Sequence, residues 1–210
     1  MSVFIGYSCA SDVRGIRVLD RLRGSLKTWL DSAGSAASKV IPNPTAWTAV
    51  GFAFAVLSFV FYGGGHPVIG GLMVLLAGLF DIIDGAVARS TGRTSRRGAF
   101  LDSTLDRVAE VVIFAGILVG GYVSPFILLL ALSFSLLVSY TRAKGDALGV
   151  DLAGVGIGER SERLVVLIVA SFLGLIGLGV LVILVLALVT FLQRTIKVSS
   201  ALGRAKSAPV

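Results

Sequence analysis

Charged residues are missing from three long stretches of the chain, and this pattern predicts helices that cross a membrane. The stretches run from Val40 to Phe80, from Val111 to Thr141 and from Leu164 to Gln193, and they contain 41, 31 and 30 residues. One membrane-spanning helix needs about 20 predominantly apolar residues. Each stretch is therefore long enough for two spans.

Glycine and proline interrupt each stretch near its middle, and these residues favour tight turns between helices. The interruptions fall at 63–67, 120–125 and 174–179. Three interrupted stretches predict three helical hairpins, and therefore an all-α integral membrane protein with six transmembrane helices. The predicted spans cover residues 46–62, 67–89, 98–120, 124–144, 162–177 and 179–198.

The N-terminal segment has a different pattern, with apolar residues at helical spacing between Asp12 and Asp31 and basic residues mostly on the other faces. This pattern is typical of a basic amphipathic helix that lies in the lipid headgroup layer. The alternative is a helix packed against a partner protein. The sequence thus divides into a segment at 1–39 with this juxtamembrane helix, a six-helix domain at 40–198 and a flexible C-terminal tail at 199–210.

Composition agrees with a membrane protein, and the charges add an orientation. Hydrophobic residues make up 55% of the chain and charged residues 15%, against about 45–50% and about 25% in soluble domains. There are 19 Lys and Arg against 12 Asp and Glu, a net charge of +7. None of the basic residues lies at the predicted hairpin tips. The positive-inside rule therefore places both termini and both polar loops in the cytoplasm, at the cell membrane, where the basic excess contacts anionic lipid and needs no nucleic acid.

Four aspartates lie at the cytoplasmic ends of the second and third predicted spans, where a carboxylate is costly and needs a partner. Asp81 and Asp84 are three residues apart, and Asp102 and Asp106 are four apart, so each pair shares a helix face. A short loop at 90–97 joins the two helices and makes them antiparallel neighbours, which lets the carboxylates converge. Oxygen ligands without Cys or His suit Mg²⁺ or Mn²⁺ better than Zn²⁺.

Two alternatives explain the aspartates without a catalytic metal site. The first is salt bridging to nearby arginines, and the second is a cation transporter that uses the acidic cluster. Glu110 continues the spacing by one turn, either as a deeper member of the cluster or as a structural hydrogen-bonding residue. The arginines in question are Arg89, Arg93, Arg96, Arg97 and Arg107.

Residues 81–106 together spell Asp-x-x-Asp-Gly-x-x-Ala-Arg, then eight residues, then Gly-x-x-x-Asp-x-x-x-Asp. This pattern resembles the signature of the CDP-alcohol phosphotransferase family at every fixed position. The six predicted spans agree with that family from about residue 40 to 198, and ion transport has no need of the fixed glycines. The matching residues are Asp81, Asp84, Gly85, Ala88, Arg89, Gly98, Asp102 and Asp106.

The resemblance implies a transferase that moves the phospholipid group of CDP-diacylglycerol or CDP-archaeol onto an alcohol and releases CMP. It implies that Asp81, Asp84 and Asp102 hold two Mg²⁺ or Mn²⁺ ions, and that Asp106 is a further metal ligand and the general base. Paired metals suit the reaction because the diphosphate is strongly anionic. The resemblance also implies a homodimer.

The same resemblance assigns the binding site for the CDP-linked lipid to the signature and to the start of the first span. One departure is Thr45, because relatives often have Asn after the preceding proline. The implied contacts are Pro44, Thr45, Ala46, Trp47, Thr48, Asp81, Gly85, Ala88, Arg89, Ser95 and Gly98.

Two further segments, at 139–144 and 158–164, resemble the branch of the family that uses inositol phosphate, the phosphatidylinositol-phosphate and archaetidylinositol-phosphate synthases. In that branch a basic pocket binds the acceptor's phosphate, a task that suits bidentate guanidiniums. Alternatives are that the basic residues only orient the protein, that glycerol phosphate is the acceptor, or that CDP-inositol is the donor. The implied phosphate contacts are Arg142, Lys144, Arg163 and Arg194.

Overall fold

The computed structural model describes the backbone of residues 34–206 and the side chains of residues 34–204. Within this part the chain is helical, with turns and loops between the helices and no strand. The amphipathic helix predicted between residues 12 and 31 lies outside the described residues. After a helical segment at 34–40, six helices follow: α1 (Pro44–Gly63), α2 (Pro67–Ser90), α3 (Arg96–Val119), α4 (Pro125–Ala147), α5 (Arg160–Phe172) and α6 (Ile176–Lys206).

Local sequence explains where the helices begin. Proline occupies the first turn of α1, α2 and α4, a position where its missing N–H costs nothing. The Asn43 side chain caps α1 by accepting from the Thr45 backbone N–H at 3.1 Å. Ser95 caps α3 in the same way, and its hydroxyl accepts from the Gly98 N–H at 3.0 Å. These side chains satisfy backbone donors that a helix leaves unpaired.

The first four helices begin and end within three residues of the predicted spans. The third hairpin differs, because α5 ends at Phe172 and α6 begins at Ile176, so Gly177 and Gly179 lie inside a helix rather than in the turn. Close packing explains this difference, since a Cβ on Gly179 would lie 2.4 Å from the Ala170 Cβ. The last helix also continues through residues 199–206, which the sequence assigned to the tail.

Four helices are long and apolar enough to cross a membrane, namely α1, α2, α4 and α6. The helix α3 is as long as α2, at 24 residues, but its first half is rich in charged residues, and α5 has only 13 residues. Many large apolar side chains of the described residues face outward, including Leu129, Val165 and Leu178. Such a surface suits contact with lipid, and the chain is a multi-pass membrane protein.

The helices pack in two groups that α5 connects. In the first group α1 packs against α2 and α3, and the second pairs α4 with α6; α5 contacts α2 and α6, and α3 makes a smaller contact with α4. The buried core includes Tyr62, Val74, Ile113 and Val180. The polar loops 91–95 and 148–159 lie at one end of the helices, where the aspartates and most of the arginines are found.

Candidate active site

Carboxylates from α2 and α3 meet at the polar end of these helices, as the sequence predicts. Asp81, Asp102 and Asp106 each offer an oxygen, and these three oxygens lie within 4.8 Å of one another. Their side chains are partly buried, and Asp84 on the same face of α2 is buried. The loop 91–95 returns the chain, and α2 and α3 both pack against α1, so that the end of α2 and the start of α3 lie close and both aspartate pairs come to one place.

The chemistry of these residues fits a hard divalent cation. Asp84 Oδ2 and Asp102 Oδ1 are buried and have no hydrogen-bond partner among the described residues. A buried carboxylate oxygen without a partner is costly, and metal coordination is one way to satisfy it. The donor set consists of oxygen atoms only, the preference of Mg²⁺ and Mn²⁺. Asp81, Asp84, Asp102 and Asp106 are the residues that would hold such ions.

One cavity of about 410 Å³, here called the loop-side cavity, opens between the start of α1, the end of α2 and the start of α3. Asp84 and Asp102 line it together with most of the predicted CDP-lipid contacts. Its lining residues from that prediction are Pro44, Thr45, Thr48, Gly85, Ala88, Arg89, Ser95 and Gly98.

Three of the predicted CDP-lipid contacts, Ala46, Trp47 and Asp81, lie outside the lining of this cavity. Trp47 donates its indole N–H to the Ile41 carbonyl at 3.0 Å and stacks on Phe80 with ring centroids 5.7 Å apart. Neither Trp47 nor Ala46 is among the residues that line the loop-side cavity. Asn43 and Arg93 do line it and were missed. The position of Asn43, immediately before the proline of α1, is a signal that could have identified it.

A second cavity of about 410 Å³, here called the arginine cavity, is lined by the other two aspartates of the acidic cluster. Asp81 and Asp106 line it, so the cluster borders both cavities. Arg142, Arg163 and Arg194 line it as well, whereas Lys144 is exposed and lies outside its lining. The arginines that line this cavity are Arg107, Arg142, Arg160, Arg163 and Arg194.

The arginines of this cavity differ in how many of their donors are already bonded. Arg163 is 2% exposed; its Nε and Nη2 donate to Glu110 Oε1 at 3.1 and 2.8 Å, and its Nη1 donates to the Gly158 carbonyl at 2.8 Å. Glu110 is therefore the buried counter-ion of Arg163, the structural alternative of the two that its spacing allowed. This ion pair joins α3 to α5.

Arg194 is held as firmly. Its guanidinium donates to Glu159 Oε1 at 2.6 Å and to the carbonyls of Val138 and Val155 at 2.9 and 2.8 Å. Arg142 is different, because its side chain is 46% exposed and its Nη1 lies 3.7 Å from Glu159 Oε1. Arg142 therefore has the guanidinium with the most donors free to meet a ligand among these three.

Arg160 is a further site residue that sequence reasoning missed. Its Nη1 lies 3.0 Å from both Asp81 Oδ2 and Asp106 Oδ1. Of the arginines expected as alternative salt-bridge partners, only Arg107 approaches the cluster within the described residues, at 3.9 Å from Asp106. Arg160 precedes Arg163 by three residues on α5, and this shared helix face was the available signal.

The sequence profile of the CDP-alcohol phosphatidyltransferase family matches residues 40–192. The chain therefore belongs to this family, as the signature predicts, and it is a CDP-alcohol phosphotransferase. Among its relatives, the archaetidylinositol phosphate synthase of Pyrococcus horikoshii is 34% identical over 178 residues, which cover 84% of this chain and 94% of that protein. The phosphatidylinositol phosphate synthase of Streptomyces avermitilis is 39% identical over 185 residues, or 79% of this chain and 76% of that protein.

Solved structures agree with these sequence relatives. The phosphatidylinositol phosphate synthase of Mycobacterium tuberculosis with CDP-DAG bound has a TM-score of 0.71 and 26% identity, and the match covers 80% of this chain and 92% of that one. A second structure of that enzyme, in complex with manganese and citrate, has the same TM-score and identity and covers 80% and 88%. Together with the acidic cluster of this chain, the family confirms the predicted divalent-metal cofactor.

Proposed function

We propose that this enzyme transfers the phospholipid group of a CDP-linked lipid to a hydroxyl of inositol phosphate and releases CMP. The acceptor oxygen forms a bond to the β-phosphorus, the bond between that phosphorus and the oxygen bridging it to CMP breaks, and CMP leaves with this oxygen. The Asp106 carboxylate takes the proton of the acceptor hydroxyl. Divalent ions bound to the aspartates would neutralise the diphosphate.

One observation carries the proposal: two cavities of about 410 Å³ share the acidic cluster and differ in the rest of their lining. The loop-side cavity has the signature residues Gly85, Arg89 and Gly98 and would take the CDP group. The arginine cavity has five guanidiniums and would take an anionic acceptor. This arrangement supports transfer between the two substrates, because Asp84 and Asp102 line one cavity and Asp81 and Asp106 the other, so that the substrates would meet at the cluster.

Within the arginine cavity, the exposed Arg142 would contact the acceptor phosphate directly. Arg163 and Arg194 would contribute positive charge from the wall, where Glu110 and Glu159 hold them, and Lys144 would lie near the entrance.

The proposal also includes six membrane crossings with the polar loops in the cytoplasm, and a homodimer. The basic residues at the polar end of the helices support that orientation.

A comparison of acceptors tests the proposal. Purified protein with Mg²⁺ or Mn²⁺ and either CDP-diacylglycerol or CDP-archaeol would be offered inositol phosphate, glycerol phosphate, free inositol or serine, and CMP release would be followed. We expect turnover with inositol phosphate and almost none with uncharged inositol, because the guanidiniums bind the phosphate. Faster turnover with glycerol phosphate than with inositol phosphate would identify glycerol phosphate as the acceptor instead. Equal use of free inositol would refute binding of the acceptor through its phosphate.

Replacement of Arg142 by glutamine should raise the KM for inositol phosphate about tenfold or more with a smaller change in kcat. The reason is that Arg142 would bind the phosphate group of the acceptor, which takes no part in the bond-making and bond-breaking steps. Lys197→Gln is the control, because Lys197 is an exposed cation on α6, three residues after Arg194, and lies outside the lining of the arginine cavity. Its kinetics should equal those of the wild type. An unchanged KM in Arg142→Gln would exclude Arg142 from the acceptor site.

A further inference from the structure

Arg160 lies inside the acidic cluster rather than beside it. It is the first residue of α5, and one nitrogen atom, Nη1, is 3.0 Å from Asp81 Oδ2 on α2 and 3.0 Å from Asp106 Oδ1 on α3. The guanidinium thus bridges two helices through the same two aspartates that the metal site needs. Its Nε is buried and has no hydrogen-bond partner among the described residues, so the contacts that the structure gives to this guanidinium go to the two aspartates.

A guanidinium in this position and a divalent ion compete for the same charge. Mg²⁺ binds carboxylate oxygens at about 2.1 Å, so an ion on Asp81 Oδ2 would lie no more than about 5 Å from a nitrogen 3.0 Å from that oxygen. Two cations at this separation in a partly buried site repel each other. The Asp81, Asp106 and Asp102 oxygens also lie within 4.8 Å of one another, which leaves little space for both cations between them.

We propose that Arg160 and a divalent ion exchange on Asp81 and Asp106, and that the displaced guanidinium turns into the arginine cavity. The structure offers that destination, because Arg160 lines the arginine cavity as well as the small cavity beside Asp84. Arg160 is a positioning residue in this scheme. It holds the two carboxylates together before the ion binds, and its charge becomes available to an anion in the arginine cavity afterwards.

The exchange couples two sites, a consequence that rests on the proposed acceptor site. An ion that displaces Arg160 frees its guanidinium from the two aspartates for the arginine cavity, which it already lines, and so strengthens the binding of a phosphate there. Linkage is reciprocal, so a phosphate that binds the displaced guanidinium must strengthen the binding of the ion. An acceptor that arrives without metal would meet a cavity in which the Arg160 guanidinium is still paired with the two aspartates.

Mn²⁺ binding to the full chain in detergent tests the exchange without any turnover. The free Mn²⁺ signal in electron paramagnetic resonance would be measured for the wild type, Arg160→Gln and Arg107→Gln. Because Arg160→Gln removes the competitor, we expect it to bind Mn²⁺ roughly tenfold more tightly than the wild type. Arg107→Gln is the matched control, since it removes the same charge beside Asp106 while the Arg107 guanidinium donates to the Ser103 carbonyl. We expect a much smaller effect from it.

The outcomes separate the exchange from its alternatives. Unchanged or weaker Mn²⁺ binding in Arg160→Gln would overturn the proposal, and so would equal tightening in Arg107→Gln, because that result would reflect net charge alone. Arg160→Lys keeps a cation at the position and should bind Mn²⁺ much as the wild type does, and it remains informative where Arg160→Gln fails to fold. Tightening in Arg160→Lys equal to that in Arg160→Gln would also overturn the proposal.

Inorganic phosphate tests the coupling. It should strengthen Mn²⁺ binding by the wild type, after correction for Mn²⁺ that phosphate binds in a blank without protein, and this effect should shrink in Arg160→Gln. An equal effect in both proteins would refute the coupling. Because no acceptor alcohol is present, these results stand apart from the acceptor comparison, whose failure would refute the proposed function and leave the exchange intact.

Discussion

Replacement of Asp106 by asparagine is expected to lower the rate of CMP release by about 10³-fold or more, since positioned general bases contribute about 10²–10⁴-fold and the carboxylate is also a proposed metal ligand. Asparagine keeps the shape of the side chain but cannot take a proton from the acceptor. Asp106 lines the arginine cavity and belongs to the acidic cluster, so its carboxylate borders the space where the acceptor hydroxyl would lie.

Binding of the donor separates the role of Asp106 from that of the rest of the cluster. Asp106 does not line the loop-side cavity, whereas Asp84 and Asp102 do. Asp106→Asn should therefore bind the CDP-linked lipid with an affinity close to that of the wild type, as measured by calorimetry in detergent. Asp151→Asn is the control, because Asp151 is an exposed aspartate in the loop before α5, and its turnover should be unchanged. Substantial turnover in Asp106→Asn would rule out this residue as the base.

The sequence predicted the helices well because turn residues and charged residues mark where they begin and end. Prolines at the first turns and glycines at the hairpin tips mark the boundaries of α1 to α4. The third turn was misplaced because Gly174, Gly177 and Gly179 are equivalent by composition. The structure distinguishes them by conformation and packing. Gly174 has a positive φ of 70° in the turn, whereas Gly177 and Gly179 approach Tyr122 and Ala170 on other segments.

The acidic cluster was predictable for a similar reason. Spacing within α2 and α3 places each aspartate pair on one face, and a short loop keeps the end of α2 close to the start of α3. The role of Arg160 was not predictable in this way, because α5 is far from α2 and α3 in the sequence and periodicity does not say which helices meet. The pairing of Arg163 with Glu110 was missed for the same reason.

That buried pair gives the second large prediction. Glu110 and Arg163 are 4% and 2% exposed and join α3 to α5. The pair lies about one helical turn further along both helices than the contact of Arg160 with Asp106. Glu110→Gln leaves the Arg163 guanidinium charged and buried without its counter-ion, a change that costs about 3–5 kcal/mol in comparable pairs. We therefore expect a clear drop in the thermal unfolding midpoint in detergent. Glu162→Gln removes an exposed carboxylate next to Arg163 and should change stability by less than about 0.5 kcal/mol.

The double variant Glu110→Leu/Arg163→Met distinguishes a structural pair from an acceptor ligand. Replacing both partners with apolar side chains of similar volume is often neutral for stability, so the double variant should recover most of the midpoint that Glu110→Gln loses. A double variant as unstable as the single one would contradict this account of the pair. With the fold restored, kinetics isolate the charge of Arg163: if it attracts the acceptor from the cavity wall, the KM for inositol phosphate rises while kcat changes little. An unchanged KM would show that the role of Arg163 is structural: it holds α5, and with it Arg160, against α3, the helix that carries Asp102 and Asp106.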